Sequence, residues 1–131
     1  MTSYTLQSHS RPIKRVRFNR DGDMFFSCSD DKSICAWTKE MDLLGVYTGP
    51  TACKSIAVSY NTEYLVGAFV TEGFVLFDVM TGVQLHHFPQ GGDRVINVEF
   101  NYGDTELAVV FQCTGKSMVK VYDFKKLIGG E

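Results

Sequence analysis

One pattern recurs three times along the 131 residues and constrains the fold more than any other feature. Each copy is an apolar residue, two further positions, a second apolar residue, one position and a third apolar residue. The copies are Ile13/Val16/Phe18, Cys53/Ile56/Val58 and Val95/Val98/Phe100, with third members 40 and then 42 residues apart. A polar turn follows each triplet: Asn19-Arg20-Asp21-Gly22-Asp23, Ser59-Tyr60-Asn61-Thr62-Glu63 and Asn101-Tyr102-Gly103-Asp104-Thr105. Each turn leads into a second apolar run, in which Phe25, Leu65 and Leu107 keep the same offsets. A third run ends in an aromatic residue, Trp37, Phe77 or Tyr122. A short fourth segment follows: Leu44 to Tyr47, Gln84 to Phe88, and the stretch beginning at Phe124.

About four short strands at a period near 40 residues is the signature of β-propeller blades. Helical repeats of similar period need long stretches of 3.6-residue periodicity, and none is present. The expected fold class is therefore all-β, with blades over about 6–47, 48–88 and 89–127. A lone blade cannot cover both of its faces, and closed rings hold about 4–8 blades. Three units leave two faces open, so the chain is expected to be a fragment or one half of a split propeller. Residues 1–7 are expected to supply a strand that completes the last blade of the ring.

Composition agrees with this reading. Twelve glycines against three prolines, with many β-branched and aromatic residues, suit strands and tight turns. Hydrophobic content of 44% with 21% charged residues is that of a folded chain. The formal charge of −2 gives no bulk attraction to nucleic acid or membrane. Met1 to His9 has no apolar core and is not expected to be a signal peptide, and the longest apolar run, Tyr64 to Val70, is far short of the roughly 18 residues of a membrane helix. Cys28, Cys35, Cys53 and Cys113 show no C-x-x-C spacing and lie in apolar runs, so they are expected to be buried free thiols of a reducing, cytoplasmic compartment.

The first unit carries His9, Ser29, Asp31 and Trp37, spaced as in the structural tetrad of the WD40 family, which the chain resembles. The resemblance implies that His9 bonds Asp31 in a tight turn while Ser29 and the Trp37 indole N–H complete the network. Buried imidazole and indole groups need such partners. His9, Asp31 and Ser29 also have the residue types of a catalytic triad, but at this spacing they are expected to staple a blade. The later units are degenerate: Thr71 and Lys116 stand where the Asp would be, and Phe77 and Tyr122 replace Trp.

A narrower resemblance is to subunit i of eukaryotic translation initiation factor three. Leu6-Gln7-Ser8-His9-Ser10-Arg11-Pro12-Ile13 is similar to that family's Leu-x-Gly-His-Glu-Arg-Pro-Leu, and the run from Phe18 to Ser29 to its Tyr-Asn-Arg-Glu-Gly-Asp-Leu-Leu-Phe-Ser-Cys-Ser. Leu44-Gly45-Val46-Tyr47-Thr48-Gly49 is similar to its Leu-Gly-Thr-Tyr-x-Gly. The resemblance implies the N-terminal three blades of a seven-bladed WD40 ring, without enzymatic activity or cofactor. It also implies a scaffold that binds subunits b and g of the factor and joins the initiation complex on the small ribosomal subunit. The alternative is another WD40 adaptor, a signalling scaffold or a ubiquitin-ligase substrate receptor.

Arg11, Lys14, Arg15, Arg17 and Arg20 place five positive charges in ten residues. Arg11, Lys14 and Arg15 are the candidate contacts to RNA phosphate or to a protein partner, against the plainer expectation of a solvated strand edge. His86 and His87 are adjacent in an extended run and face opposite ways, so they are not expected to share a metal ion. Gly91-Gly92-Asp93 is expected to be a turn, without the lysine and helix of a phosphate loop.

Overall fold

The computed structural model describes residues 8–89 and 93–129. The strand expected within residues 1–7, and Gly91 and Gly92 of the expected turn, lie outside the described residues. Three antiparallel sheets follow one another along the chain. The first is β1 (Ile13–Phe18), β2 (Met24–Ser29), β3 (Ser33–Thr38) and β4 (Leu43–Thr48), paired in that order. The second repeats it with β5 (Cys53–Val58), β6 (Tyr64–Phe69), β7 (Gly73–Asp78) and β8 (Gln84–Phe88). The third contains β9 (Arg94–Phe100), β10 (Glu106–Cys113) and β11 (Lys116–Asp123). This is the all-β propeller architecture, about three blades of it.

The spacing of the repeated triplet has a local cause. The innermost strand of every sheet carries a register shift, between Ile13 and Arg15, between Cys53 and Ser55, and opposite Val110/Phe111 where Asn97 and Val95 pair. The extra residues are Lys14, Lys54 and Ile96. A β-bulge adds one residue without reversing the face, so the gap between same-face residues becomes two positions there and one elsewhere. Cys53, Ile56 and Val58 accordingly meet the first sheet, and Val95, Val98 and Phe100 meet the second. The second and third triplets therefore face the preceding blade.

The middle sheet is covered on both sides, which explains why its strands read as nearly unbroken apolar runs. Ile56, Leu65, Phe69, Val75 and Phe77 join Phe26, Ile34 and Tyr47 in one core. Ala57, Val66, Ala68, Phe74 and Leu76 join Val95, Val109 and Phe111 in another. Consecutive residues of β6 and β7 alternate between the two cores, as period-two geometry requires.

The first triplet has no preceding blade among the described residues. Ile13, Val16 and Phe18 are 52%, 51% and 66% exposed, and Val119 and Val121 on the far side of the third sheet are 60% and 59% exposed. These are the two open faces expected of three blades.

The fourth segment of the third unit departs from expectation. Instead of beginning a strand at Phe124, the chain forms α1 (Phe124–Gly129). Asp123 caps it, its carboxylate accepting the Lys126 N–H at 3.1 Å. Phe124, Leu127 and Ile128 then share one helical face and pack on the second core, with the Phe124 ring 4.9 Å from Phe100 and 5.3 Å from Tyr64. The hairpin of the third unit is longer than those of the other two: β10 and β11 each have eight residues and turn at Thr114-Gly115, where Gly115 has φ +76°.

Candidate functional site

The polar network of the first blade is built on its open face. Phe25 pairs with Trp37 across β2 and β3, and the two rings stack at 6.1 Å. Ser27 lies two residues farther along the same face. The Trp37 Nε1–H donates to Ser27 Oγ at 3.2 Å, and Ser27 Oγ lies 2.7 Å from His9 Nε2. His9 Nδ1 lies 3.1 Å from Asp31 Oδ2 and 3.0 Å from Ser33 Oγ. A consistent proton arrangement follows: Ser27 donates to Nε2, so the ring carries its proton on Nδ1 and donates it to Asp31.

Ser29, expected in this chain of bonds, is not part of it. Its hydroxyl accepts the Asp31 N–H at 3.1 Å and donates to the Arg11 carbonyl at 3.0 Å. The reason is pleat geometry. Trp37 sits opposite Phe25, so Ser27 is its diagonal neighbour, whereas Ser29 is a further two residues away along the strand. Ser29 therefore holds the turn that presents Asp31, and Ser27 joins the two aromatic rings. Sequence reasoning missed Ser27 because both serines have the same parity; only the register separates them.

Burial pushes the Asp31 carboxyl up, but donors from the Ser33 hydroxyl, the Ser10 and Ser33 backbone N–H groups and His9 outweigh it and hold the group at about 2. Because the folded carboxyl is more acidic than its ordinary value of 3.8, its stabilisation is complete above that value and is lost as pH falls through about 2. Asp31→Ala should lower stability by about 1–3 kcal/mol, since buried donors lose their acceptor. The variant should also lose this part of the acid sensitivity between pH 4 and 2, read from thermal melts across that range.

Ser27, His9 and Asp31 stand in the order of a hydrolytic triad. Yet Ser27 is 4% exposed and its oxygen already accepts the indole N–H, while the His9 side chain is 2% exposed. This arrangement suits a staple better than a nucleophile. Ser27→Ala should cost about 1–3 kcal/mol and alter the emission of the sole tryptophan, whose N–H loses its acceptor. Ser29→Ala should leave that emission unchanged, a difference that fluorescence spectra of the two variants will show.

The expected basic cluster is largely engaged. Lys14 pairs with Asp30 at 3.3 Å, Arg17 with Glu99 of the third blade at 3.4 Å, and Arg20 with Asp21 at 3.1 Å. Arg11 and Arg15 make no ion pair among the described residues. The structure brings Arg11, Lys14 and Arg15 together only along the start of β1, where the bulge falls. His87 Nε2 lies 2.6 Å from the Glu72 carbonyl and His86 stacks on Phe88. No cluster suited to a metal ion occurs among the described residues. Cys28, Cys35 and Cys53 are buried free thiols, whereas Cys113 is half-buried at the end of its hairpin. Burial pushes the Cys53 thiol well up, which keeps it protonated and unreactive. No helix among the described residues is long and apolar enough to cross a membrane.

A second constellation was not anticipated. The turns after β1, β5 and β9 stack along one end of the three blades. Asn19, Ser59 and Asn101 each accept a backbone N–H from the start of the following strand, at 3.2, 3.0 and 2.8 Å. Gly22, Thr62 and Asp104, at the repeat offsets, all have φ near +60 to +74°. Neighbouring turns are joined by Asn19 to Thr62 at 3.2 Å and by the Tyr60 N–H to the Asp104 carboxylate at 2.7 Å. The Arg20 guanidinium lies 4.2 Å from the Tyr60 ring centre, and Tyr60 meets Tyr102 edge-on at 5.0 Å. Superposing the three turns at the 40 and 42 offsets would have revealed this row, since the residues occupy equivalent positions.

The profile described as WD domain, G-beta repeat matches residues 2–38, the unit that holds the polar network. The solved structure of the RRP9 WD40 repeats matches 92% of the chain and 38% of its own, with a TM-score of 0.80 at 23% identity. The first unit is a WD40 repeat, and the fold is that of WD40 propeller blades. The β-propeller domain of Cps50 (Swd1) from Myceliophteria thermophila also superposes on these WD40 blades, with a TM-score of 0.71 over 91% of the chain and 41% of its own at 21% identity. Those likenesses concern the fold. By sequence, this WD40 chain is similar to eukaryotic translation initiation factor 3 subunit I of Schizosaccharomyces pombe, 36% identical over 84% of the chain and 34% of the relative. The subunit I of Aspergillus terreus is 37% identical over 84% of the chain and 33% of the relative. The chain thus spans about a third of the length of these curated relatives.

Proposed function

We propose that this WD40 chain serves as a non-catalytic scaffold within the cytoplasmic translation initiation factor three complex. The carrying observation is the identity of 36–37% over 84% of the chain to subunit I of two fungi, a span too long for the first repeat alone. In this reading the protein is part of a subunit that docks subunits b and g and supports assembly on the small ribosomal subunit. Any direct contact with ribosomal RNA falls to Arg11 and Arg15, which carry no ion pair among the described residues, with Lys14 beside them. Propeller rims suit such work because loops vary while the apolar seams keep the frame rigid.

Gentle purification of the tagged protein from its own cells, followed by mass spectrometry, tests this. Recovery of the other subunits of the factor, b and g above all, is the expected result. Recovery of an unrelated assembly without them would remove the translation assignment and leave the fold untouched. Charge reversal at Arg11, Lys14 and Arg15 with unchanged ribosome association would dismiss the RNA contact.

A further inference from the structure

A groove of about 760 Å³ runs along the seam between the first and second blades, at the end where the stacked turns lie. Its size falls in the range of ligand clefts, roughly 300–1,000 Å³. Asp21 and Asp23 from the turn after β1 and Glu63 from the turn after β5 line it, with Met24, Leu44 and Met80 supplying apolar surface. Its lining contains no lysine, arginine or histidine. Asp23 and Glu63 form no ion pair among the described residues. Asp21 pairs only with its neighbour Arg20, at a site where both side chains are about half exposed or more, 48% and 61%. Such an exposed pair is worth little and can be exchanged. Asp23 also accepts a hydrogen bond from the Asn19 side-chain amide at 2.7 Å, and beside these carboxylates Met80 is 87% exposed and Leu44 56% exposed.

Because both blades that form this seam are present, the groove is separate from the two open faces at Val16/Phe18 and Val119/Val121. We infer that it is a docking site for a protein segment bearing lysine or arginine next to an apolar anchor. The three carboxylates would receive the cations, and the adaptable Met80 thioether with Leu44 would receive the anchor. The same carboxylates repel phosphate, which disfavours a nucleic acid at this position. This site deepens the scaffold reading and rests on it by giving the chemistry of one bound partner.

The test is selection of random twelve-residue displayed peptides on the immobilised full-length protein, with counter-selection on a D21N/E63Q/M80S variant. All three positions are exposed or on turns, and a thermal melt will establish that the variant is folded; M80S alone serves if it is not. Enriched peptides should combine basic and apolar residues, bind the variant at least about tenfold more weakly, and weaken with added salt. Enrichment of acidic peptides, equal binding to the variant, no enrichment, or displacement of bound peptide by a uridine oligonucleotide would each overturn the inference. The selection uses no cellular partner, so its failure would leave a successful co-purification standing, and the reverse also holds.

Discussion

Phe77→Ala should destabilise the chain by about 3–5 kcal/mol, the range for removing a large aromatic from a packed core. Phe77 is 2% exposed and sits where two blades meet, its ring 5.5 Å from Tyr47 of the first blade and 6.3 Å from Phe69 of its own. Removing it opens a cavity at the seam and takes away two edge-on aromatic contacts. Phe77 occupies the position that is tryptophan in the first blade, and among the described residues no His–Asp–Ser network accompanies it. The second blade is thus held by apolar packing on both faces, and the loss should be nearly all cavity and transfer energy. Urea unfolding will measure it. A cost below about 1 kcal/mol would show that the seam relaxes around the void and that the two blades are less tightly coupled than their shared core implies.

Gly73→Ala should cost about 2–4 kcal/mol, combining left-handed strain with a steric clash. Gly73 opens β7 with φ +85°, and a Cβ there would fall on the Phe88 carbonyl oxygen of β8. Neither atom can yield cheaply, because both belong to the backbone of paired strands. Gly22 provides the comparison: it also has a positive φ, +74°, but nothing lies within 4 Å of its Cβ position. Gly22→Ala should therefore show only the conformational part, about 1 kcal/mol. Melting temperatures of the two variants side by side separate strain from clash, and equal losses would refute the close approach at Gly73.

The residues of the repeat were sufficient to indicate three blades, because an apolar triplet returning at 40 and 42 can be satisfied by stacked small sheets and not by helices. They also placed His9, Asp31 and Trp37 in one unit. The identity of the linking serine was not legible. Ser27 and Ser29 have equal chemistry and equal parity, and only the pairing of Phe25 with Trp37 decides which hydroxyl the indole reaches. The fate of Phe124 was likewise ambiguous. A run of Phe-Lys-Lys-Leu-Ile suits strand or helix, and the outcome is decided by the Asp123 cap and by the Tyr64 and Phe100 rings waiting from two different blades.

Charge shows the same division. Five cations near the start of the chain read as one basic patch, but three of them find carboxylates, and Glu99, which binds Arg17, lies 82 residues away. The groove inferred between the first two blades is lined by turns about 40 residues apart, which meet only when the seam closes. The sequence by itself determined the strand periodicity, the spacing of the apolar triplets and the alternation of faces, because these follow from local spacing and side-chain volume. Tertiary structure alone decided which polar groups meet, which faces stay open and where acidic and apolar surfaces converge, because those depend on contacts between blades about 40 residues apart and on the register that brings them together.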